Sequence, residues 1–237
     1  MKKDEILLDI RRSLRRNISD RYKELIQRFF KEKVKNYGVK SAVVKKIAQE
    51  YFVDIKNLDK KEIFRICSEL LKSGYSEEKS IAFEWAFRLK KQYQKQDFRT
   101  FENWLKRYVS DWGDCDNFCT GAFGEFILQF PRFFNKIRIW AKSKNRWMRR
   151  ASAVILIYSI KRRKFIKEPF KIADILLIDE DDLVQKGYGW MLKELSNLYP
   201  NLVFRYLMEN KDRMPRIALR YAVEKLPEKL KSKAMKR

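Results

Sequence analysis

There is no histidine in this 237-residue sequence, and that absence excludes whole classes of chemistry. The chain can supply no Ser-His-Asp or Cys-His nucleophile, no histidine general base and no His-ligated zinc or iron. Cysteine is scarce. Cys67, Cys115 and Cys119 are too few and too unevenly spaced for a disulfide framework, which implies a reducing, intracellular setting. The i, i+4 pair Cys115 and Cys119 has no second pair to complete a zinc site, so neither a metal nor a cofactor is expected. The seven glycines are scattered and form no GxGxxG or GxxxxGK[ST] phosphate loop. Proline is missing before Pro131, so helices can run uninterrupted there. The longest apolar run, 151–160, is about half of what a membrane span needs. The stretch Ile6-Leu7-Leu8 is cut off by Asp9 and Arg11, so no signal peptide is expected. Any catalysis falls to carboxylates, Lys/Arg or aromatics.

Positive charge, by contrast, is abundant. Fifty-five Lys/Arg face 31 Asp/Glu, a net charge of +24, and the excess is clustered. Residues 132–171 carry fourteen Lys/Arg against the single acid Glu168. Residues 174–182 then carry five acids and no base. A polyanion is the natural partner of such a cluster, because each phosphate contact releases counterions; a generally basic, solvated surface is the plainer alternative.

Apolar residues recur at three- and four-residue spacing, as in Leu7, Ile10, Leu14 and in Leu25, Ile26, Phe29, Phe30, and no segment alternates like a strand. The fold class read from this pattern is all-α. A weak repeat overlies it. Lys79-Ser-Ile-Ala82, Asp116-Asn-Phe-Cys119, Arg150-Ala-Ser-Ala153 and Lys186-Gly-Tyr-Gly189 each set a charged residue three before a small one. Their starts lie 37, 34 and 36 residues apart, and a looser copy begins at Arg216 with Ala218. That period fits a two-helix unit and therefore an α-solenoid of HEAT-like repeats with a concave basic groove, onto which Asp116, Arg150 and Lys186 would face. The expected organisation is one domain over 1–237, with 1–20 an N-terminal helix and 227–237 a frayed basic tail. Trp85, Trp104, Trp140 and Trp147 read as core, and Cys67 as buried filler.

Asp116 is the odd member of the repeat, an acid where its counterparts are cations. Trp112 lies four residues before it, one turn away on the same helix face. Taken alone, Asp114 or Asp116 is more often a helix N-cap, and Trp112 more often core.

Three segments carry a resemblance: Trp112-Gly-Asp-Cys-Asp116; Asn145-Arg-Trp-Met-Arg-Arg150-Ala-Ser-Ala-Val; and Val184-Gln-Lys-Gly-Tyr-Gly-Trp190-Met-Leu-Lys-Glu194. With Arg213-Met-Pro-Arg-Ile-Ala-Leu-Arg-Tyr-Ala222 as a closing repeat and Asn36-Tyr-Gly-Val-Lys40 as an early turn, the chain resembles the AlkD-type DNA alkylation repair glycosylases over roughly residues 20–226. These are HEAT-like helical proteins that remove N3- and N7-alkylated purines. The resemblance implies a catalytic aspartate at Asp116, aromatic cleft partners at Trp112 and Trp190, and a DNA-backbone arginine at Arg150. Arg149, Arg146, Lys144, Lys186 and Arg216 complete the implied phosphate-binding set. Cys115 stands where the family pattern has an aliphatic residue, and the N-terminal repeats match poorly, which bears on substrate range.

The chemistry fits a protein without histidine. Alkylation at N3 or N7 makes the purine a cationic leaving group, so no general acid is needed. The oxocarbenium-like sugar is the kind of transition state that a carboxylate stabilises. The expected partner is double-stranded DNA carrying alkylated bases, with no membrane role, a monomeric state, and a cytoplasmic location (nucleoid-associated in a prokaryote). A non-catalytic HEAT-like reader of damaged or distorted DNA is the competing expectation, followed by a protein-interaction scaffold. Oxidative dealkylation is excluded with the histidine iron ligands it needs.

Overall fold

Helix formation here follows from amphipathic spacing closed by caps. In α4 (Lys60–Lys72), Ile63, Phe64, Ile66, Cys67, Leu70 and Leu71 fall on one face and are buried. Asp59 caps the start by accepting the Lys61 N–H at 2.9 Å, and Gly74, at φ 78°, turns the chain just beyond the end. The fold, a computed structural model, describes residues 3–236. Among these there is no β-strand, and no helix is long and apolar enough to cross a membrane. The chain divides into two compact units, Met1–Asn117 and Phe118–Arg237.

The first unit contains α1 (Lys3–Arg15), α2 (Asp20–Gln27), α3 (Ser41–Ile55), α4, α5 (Ser76–Arg88), α6 (Asp97–Tyr108) and the start of α7 (Trp112–Thr120). α1 packs on α3, α3 on α5, and α4 on both α5 and α6. α2 contributes no buried residue. The first turn of α5 gathers the unit together. The buried carboxylate of Glu77 accepts the backbone N–H groups of Tyr37, Gly38 and Val39 at 2.9–3.1 Å. Glu78, fully buried, accepts the Tyr37 hydroxyl at 2.7 Å and pairs with Arg11 at 3.1 Å. Gly38 sits at φ 89° in this turn, with Ser19 and Lys23 against it, so an L side chain is excluded there.

The second unit contains α8 (Ala122–Gln129), α9 (Phe134–Trp140), α10 (Arg146–Ile160), α11 (Glu168–Leu176), α12 (Asp182–Ser196), α13 (Pro200–Asn210), α14 (Arg216–Ala222) and α15 (Glu228–Met235). The apolar run 151–160 is the body of α10, buried on every side, as expected of a helix at the centre of a packed layer. α8 packs on α10, α10 on α12 and α12 on α14. As in α1, α3 and α5, each helix meets the next but one, which is how two-helix repeats stack.

The repeat read from the sequence falls on these stacked helices. Lys79, Asp116, Arg150 and Lys186 each occupy the fourth or fifth residue of a helix, a turn inside it rather than at its start; only Arg216 begins one. The small positions do bring helices together. A Cβ on Gly189 would lie 2.8 Å from the Ala218 carbonyl oxygen and 2.8 Å from Tyr221 Cβ. Three tryptophans of the expected core, Trp85, Trp104 and Trp140, are buried. Trp147 is only half-buried, with the Arg146 guanidinium 5.6 Å from its ring centroid, because it lies in the first turn of α10, where that helix emerges from the layer. The C-terminal segment also departs from expectation. Instead of fraying, it forms α15, since Ala234 is fully buried and Arg216 and Lys211 donate to the Met235 and Lys236 carbonyls.

Gly189→Ala is expected to lower stability by about 1–2 kcal/mol in urea unfolding. Overpacking against the α14 backbone costs about 1–3 kcal/mol, which outweighs the roughly 1 kcal/mol that alanine gains in a helix. A variant more stable than the wild type would show that the two helices can separate without cost.

Candidate functional site

In the first unit the candidate site is the opening of α7. Asp111 caps the helix: its carboxylate accepts the Asp114 N–H at 2.8 Å and its carbonyl the Cys115 N–H at 3.2 Å. Asp114 is 5% exposed. It meets the buried Lys79 ammonium at 2.5 Å and accepts the Ser110 N–H at 3.2 Å. Burial, reinforced by the charge of Asp111, outweighs Lys79 and pushes the Asp114 carboxyl up to about 6. Both acids are therefore part of the framework of the helix start. Asp116, one turn above Trp112, is only half-buried, and its neighbour Asn117 is exposed and donates to Ser80 at 3.2 Å.

Trp112 is not core. It is half-buried, and one face of its indole stacks on Phe30, with centroids 4.8 Å apart and planes 15° from parallel. Phe30 follows α2 and belongs to the wall of a cavity of about 470 Å³ in this unit. Tyr22, Ile26, Phe30, Val44, Ser80 and Gly113 are among the residues that line it. Sequence spacing gave no hint of the Phe30 stack, which joins positions 82 residues apart. Lys79 was legible only as a repeat position, not as the buried partner of Asp114.

In the second unit the implied cations sit at the start of α10 and α12. Asn145 caps α10 by accepting the Trp147 N–H at 2.8 Å. Arg146 forks onto Asp181 at 2.6–2.7 Å, and Asp181 also caps α12 through the Leu183 N–H at 2.9 Å. Arg149 pairs with Asp179 at 2.6 Å and donates to the Ser143 and Lys144 carbonyls. Arg150 is 5% exposed. Its guanidinium donates to the Leu183 carbonyl, and its stem runs over Gly187, where a Cβ would come within 3.1 Å of Cγ. Lys186 pairs with Asp182 at 3.0 Å. Lys144 and Arg216 are exposed.

The acidic run 174–182 is thus not a separate feature from the basic cluster. It supplies the counter-charges of the α10 arginines, which stand at the positive end of a helix dipole and need them. Arg146, Arg149 and Arg150, implied by the resemblance as phosphate-binding residues, lock α10 to α12 through these contacts. Trp190 lies one turn beyond Gly187 on α12. It is half-buried, with its indole N–H donating to Glu194 at 2.9 Å, a partner recognisable in sequence by its i, i+4 spacing.

The raised Asp114 carboxyl sets a pH dependence. The folded form holds this proton more tightly than the unfolded chain does, so its contribution to stability is complete below about pH 4 and is lost as pH rises through about 6. The stability difference between wild type and Asp114→Asn should therefore fall, by on the order of 2 kcal/mol, between pH 4.5 and 7.5 in urea unfolding. A difference that grows over that range would mean that Lys79 dominates the site.

None of the curated proteins matches the chain significantly, but solved structures share its fold. A "predicted DNA alkylation repair enzyme from Enterococcus faecalis" superposes with a TM-score of 0.79 at 14% identity, covering 90% of this chain and 98% of that one. The smu.31 protein of Streptococcus mutans UA159 gives 0.60 at 22% identity, over 78% and 93% of the two chains. AlkD2 from Streptococcus mutans gives 0.59 at 21%, over 77% and 90%. At the sequence level, the family described as "DNA alkylation repair enzyme" matches residues 10–226. With the helical repeats and an aspartate–tryptophan turn on α7 already in view, that match over most of the chain means that the protein belongs to the DNA alkylation repair enzyme family.

Proposed function

We propose that the chain is a DNA glycosylase that hydrolyses the N-glycosidic bond of cationic N3- or N7-alkylated purines in duplex DNA. The observation that carries this reading is the division of labour among the three acids at the start of α7. Asp111 and Asp114 are buried, 7% and 5% exposed, and serve the helix itself. Asp116 is the acid of this segment that solvent and a ligand can reach. Family membership supports the DNA repair role.

In the proposed reaction the C1′–N bond of the nucleotide breaks, and its electron pair moves to the purine, cancelling the positive charge that alkylation placed there. The leaving base is neutral, so no protein acid is required. Positive charge appears instead on the deoxyribose, where the Asp116 carboxylate stabilises it. A water oxygen bonds to C1′ and gives up its proton, which Asp116 accepts, leaving an abasic site. Trp112, covered on one face by Phe30, offers its other face to the sugar, and Trp190, steadied by Glu194, is the second aromatic. A cationic nucleotide over such a ring gains about 0.5–2 kcal/mol. Lys144, Lys186 and Arg216 contact phosphates, while Arg146, Arg149 and Arg150 hold the α10–α12 scaffold on which Trp190 stands.

Asp116→Asn should reduce release of 7-methylguanine and 3-methyladenine from methylated duplex by about 10²- to 10³-fold, with binding to unmodified duplex unchanged. Equal release by both proteins would move the carboxylate role away from Asp116. Intact binding with no release by either would leave a reader of DNA shape.

A further inference from the structure

The cations of residues 132–171 do not form one surface. α10 is fifteen residues long, so its two ends stand about 22 Å apart. The arginines at its start are held by aspartates, whereas the cations at its end are exposed. Lys161, Arg162, Arg163 and Lys164 follow one another there, all exposed. Lys161 stands 3.7 Å from Glu194, and Arg162 lies over the Tyr158 ring at 3.5 Å. Among the described residues no carboxylate pairs with Arg163 or Lys164, which project from the turn.

The turn itself is unusual. The Arg163 N–H donates to the Ile160 carbonyl at 2.8 Å and the Lys164 N–H to the Ser159 carbonyl at 2.9 Å, the bond pattern of a helix that ends in a left-handed residue. That residue is ordinarily glycine, yet here it is Arg163 at φ 57°. Phe165 is left-handed as well, at φ 56°, and its ring meets Phe134 at 6.1 Å. This contact draws the start of α9 alongside, with Arg132 and Lys136 both exposed. A helix C-terminus favours cations through its dipole, but that accounts neither for an arginine in the glycine position nor for the convergence of a second element carrying two more.

Resting on the reading that the chain acts on duplex DNA, we propose that the Arg132, Lys136, Arg163 and Lys164 cluster at the end of α10 is a second phosphate-binding site, one helix length from the phosphate contacts proposed at the start of α10. The separation of about 22 Å corresponds to roughly six base steps at 3.4 Å per step. The site therefore engages a long duplex and misses a short one. An arginine there offers bidentate contact to phosphate, which a glycine would forgo.

The test uses two unmodified duplexes, a hairpin stem of about 5 base pairs, too short to span 22 Å, and a linear duplex of about 24 base pairs, with the variant Lys136→Gln/Arg163→Gly/Lys164→Gln. Glycine suits the left-handed position, so the variant should fold at least as well as the wild type in thermal unfolding. Three lost phosphate contacts should flatten the slope of log affinity against log salt by about 2–3 for the long duplex, with affinity at low salt falling about tenfold or more. The short duplex should bind both proteins alike. Wild-type binding with the same slope in the variant would overturn the second site alone, leaving a solvated helix end. A wild type that binds neither duplex would instead sink the underlying DNA reading.

Discussion

Three consecutive ionisable side chains, buried in the first turns of one helix, hold the first unit together. Glu77 ties the 37–39 turn to α5, Glu78 ties α1 through Arg11, and Lys79 ties the start of α7 through Asp114. Each would be costly to bury alone, and each is stabilised by a partner on a different element. The acids stand where the α5 dipole favours negative charge, so the helix itself contributes to holding them. The proposed catalytic turn is positioned as a result. Asp114 cannot move without stranding Lys79, and Asp116 is two residues further along the same helix.

A related economy governs the second unit. Read as a list of charges, residues 132–171 look like one broad cationic face. Folded, the part at the α10 N-terminus is largely consumed by Asp179, Asp181 and the Leu183 carbonyl. Net charge therefore overstates what a polyanion meets at one end of the helix and understates its concentration at the other. The locked arginines fix the packing of α10 on Gly187 and hence the turn of α12 that carries Trp190.

Periodicity alone was enough to show an all-helical chain and its two-helix rhythm, because both depend on local spacing, which sequence records directly. Small residues at Gly189 and Ala218 were legible for the same reason: close approach needs missing atoms. What escaped was everything settled by long-range partners. The Phe30–Trp112 stack, the burial of Lys79 and the pairing of the acidic run with the α10 arginines each join residues about 30 or more positions apart. A basic tail read as frayed turned out helical because one small residue, Ala234, found a buried seat. Around the candidate site, spacing placed Asp116 and Trp112 on one face. It could not tell which of the neighbouring aspartates the helix start would use for itself, because Asp111 takes the cap and Lys79, 35 residues away, holds Asp114.

The three cysteines have a bearing on the chemistry this family confronts. Cys67, Cys115 and Cys119 are fully buried, and burial pushes the Cys67 thiol far above its ordinary range. The sequence holds no imidazole. The soft, readily ionised nucleophiles that methylating agents attack first on most proteins are thus either sealed inside the helical layers or missing altogether. A repair protein built this way keeps its thiols away from the reagents that create its work.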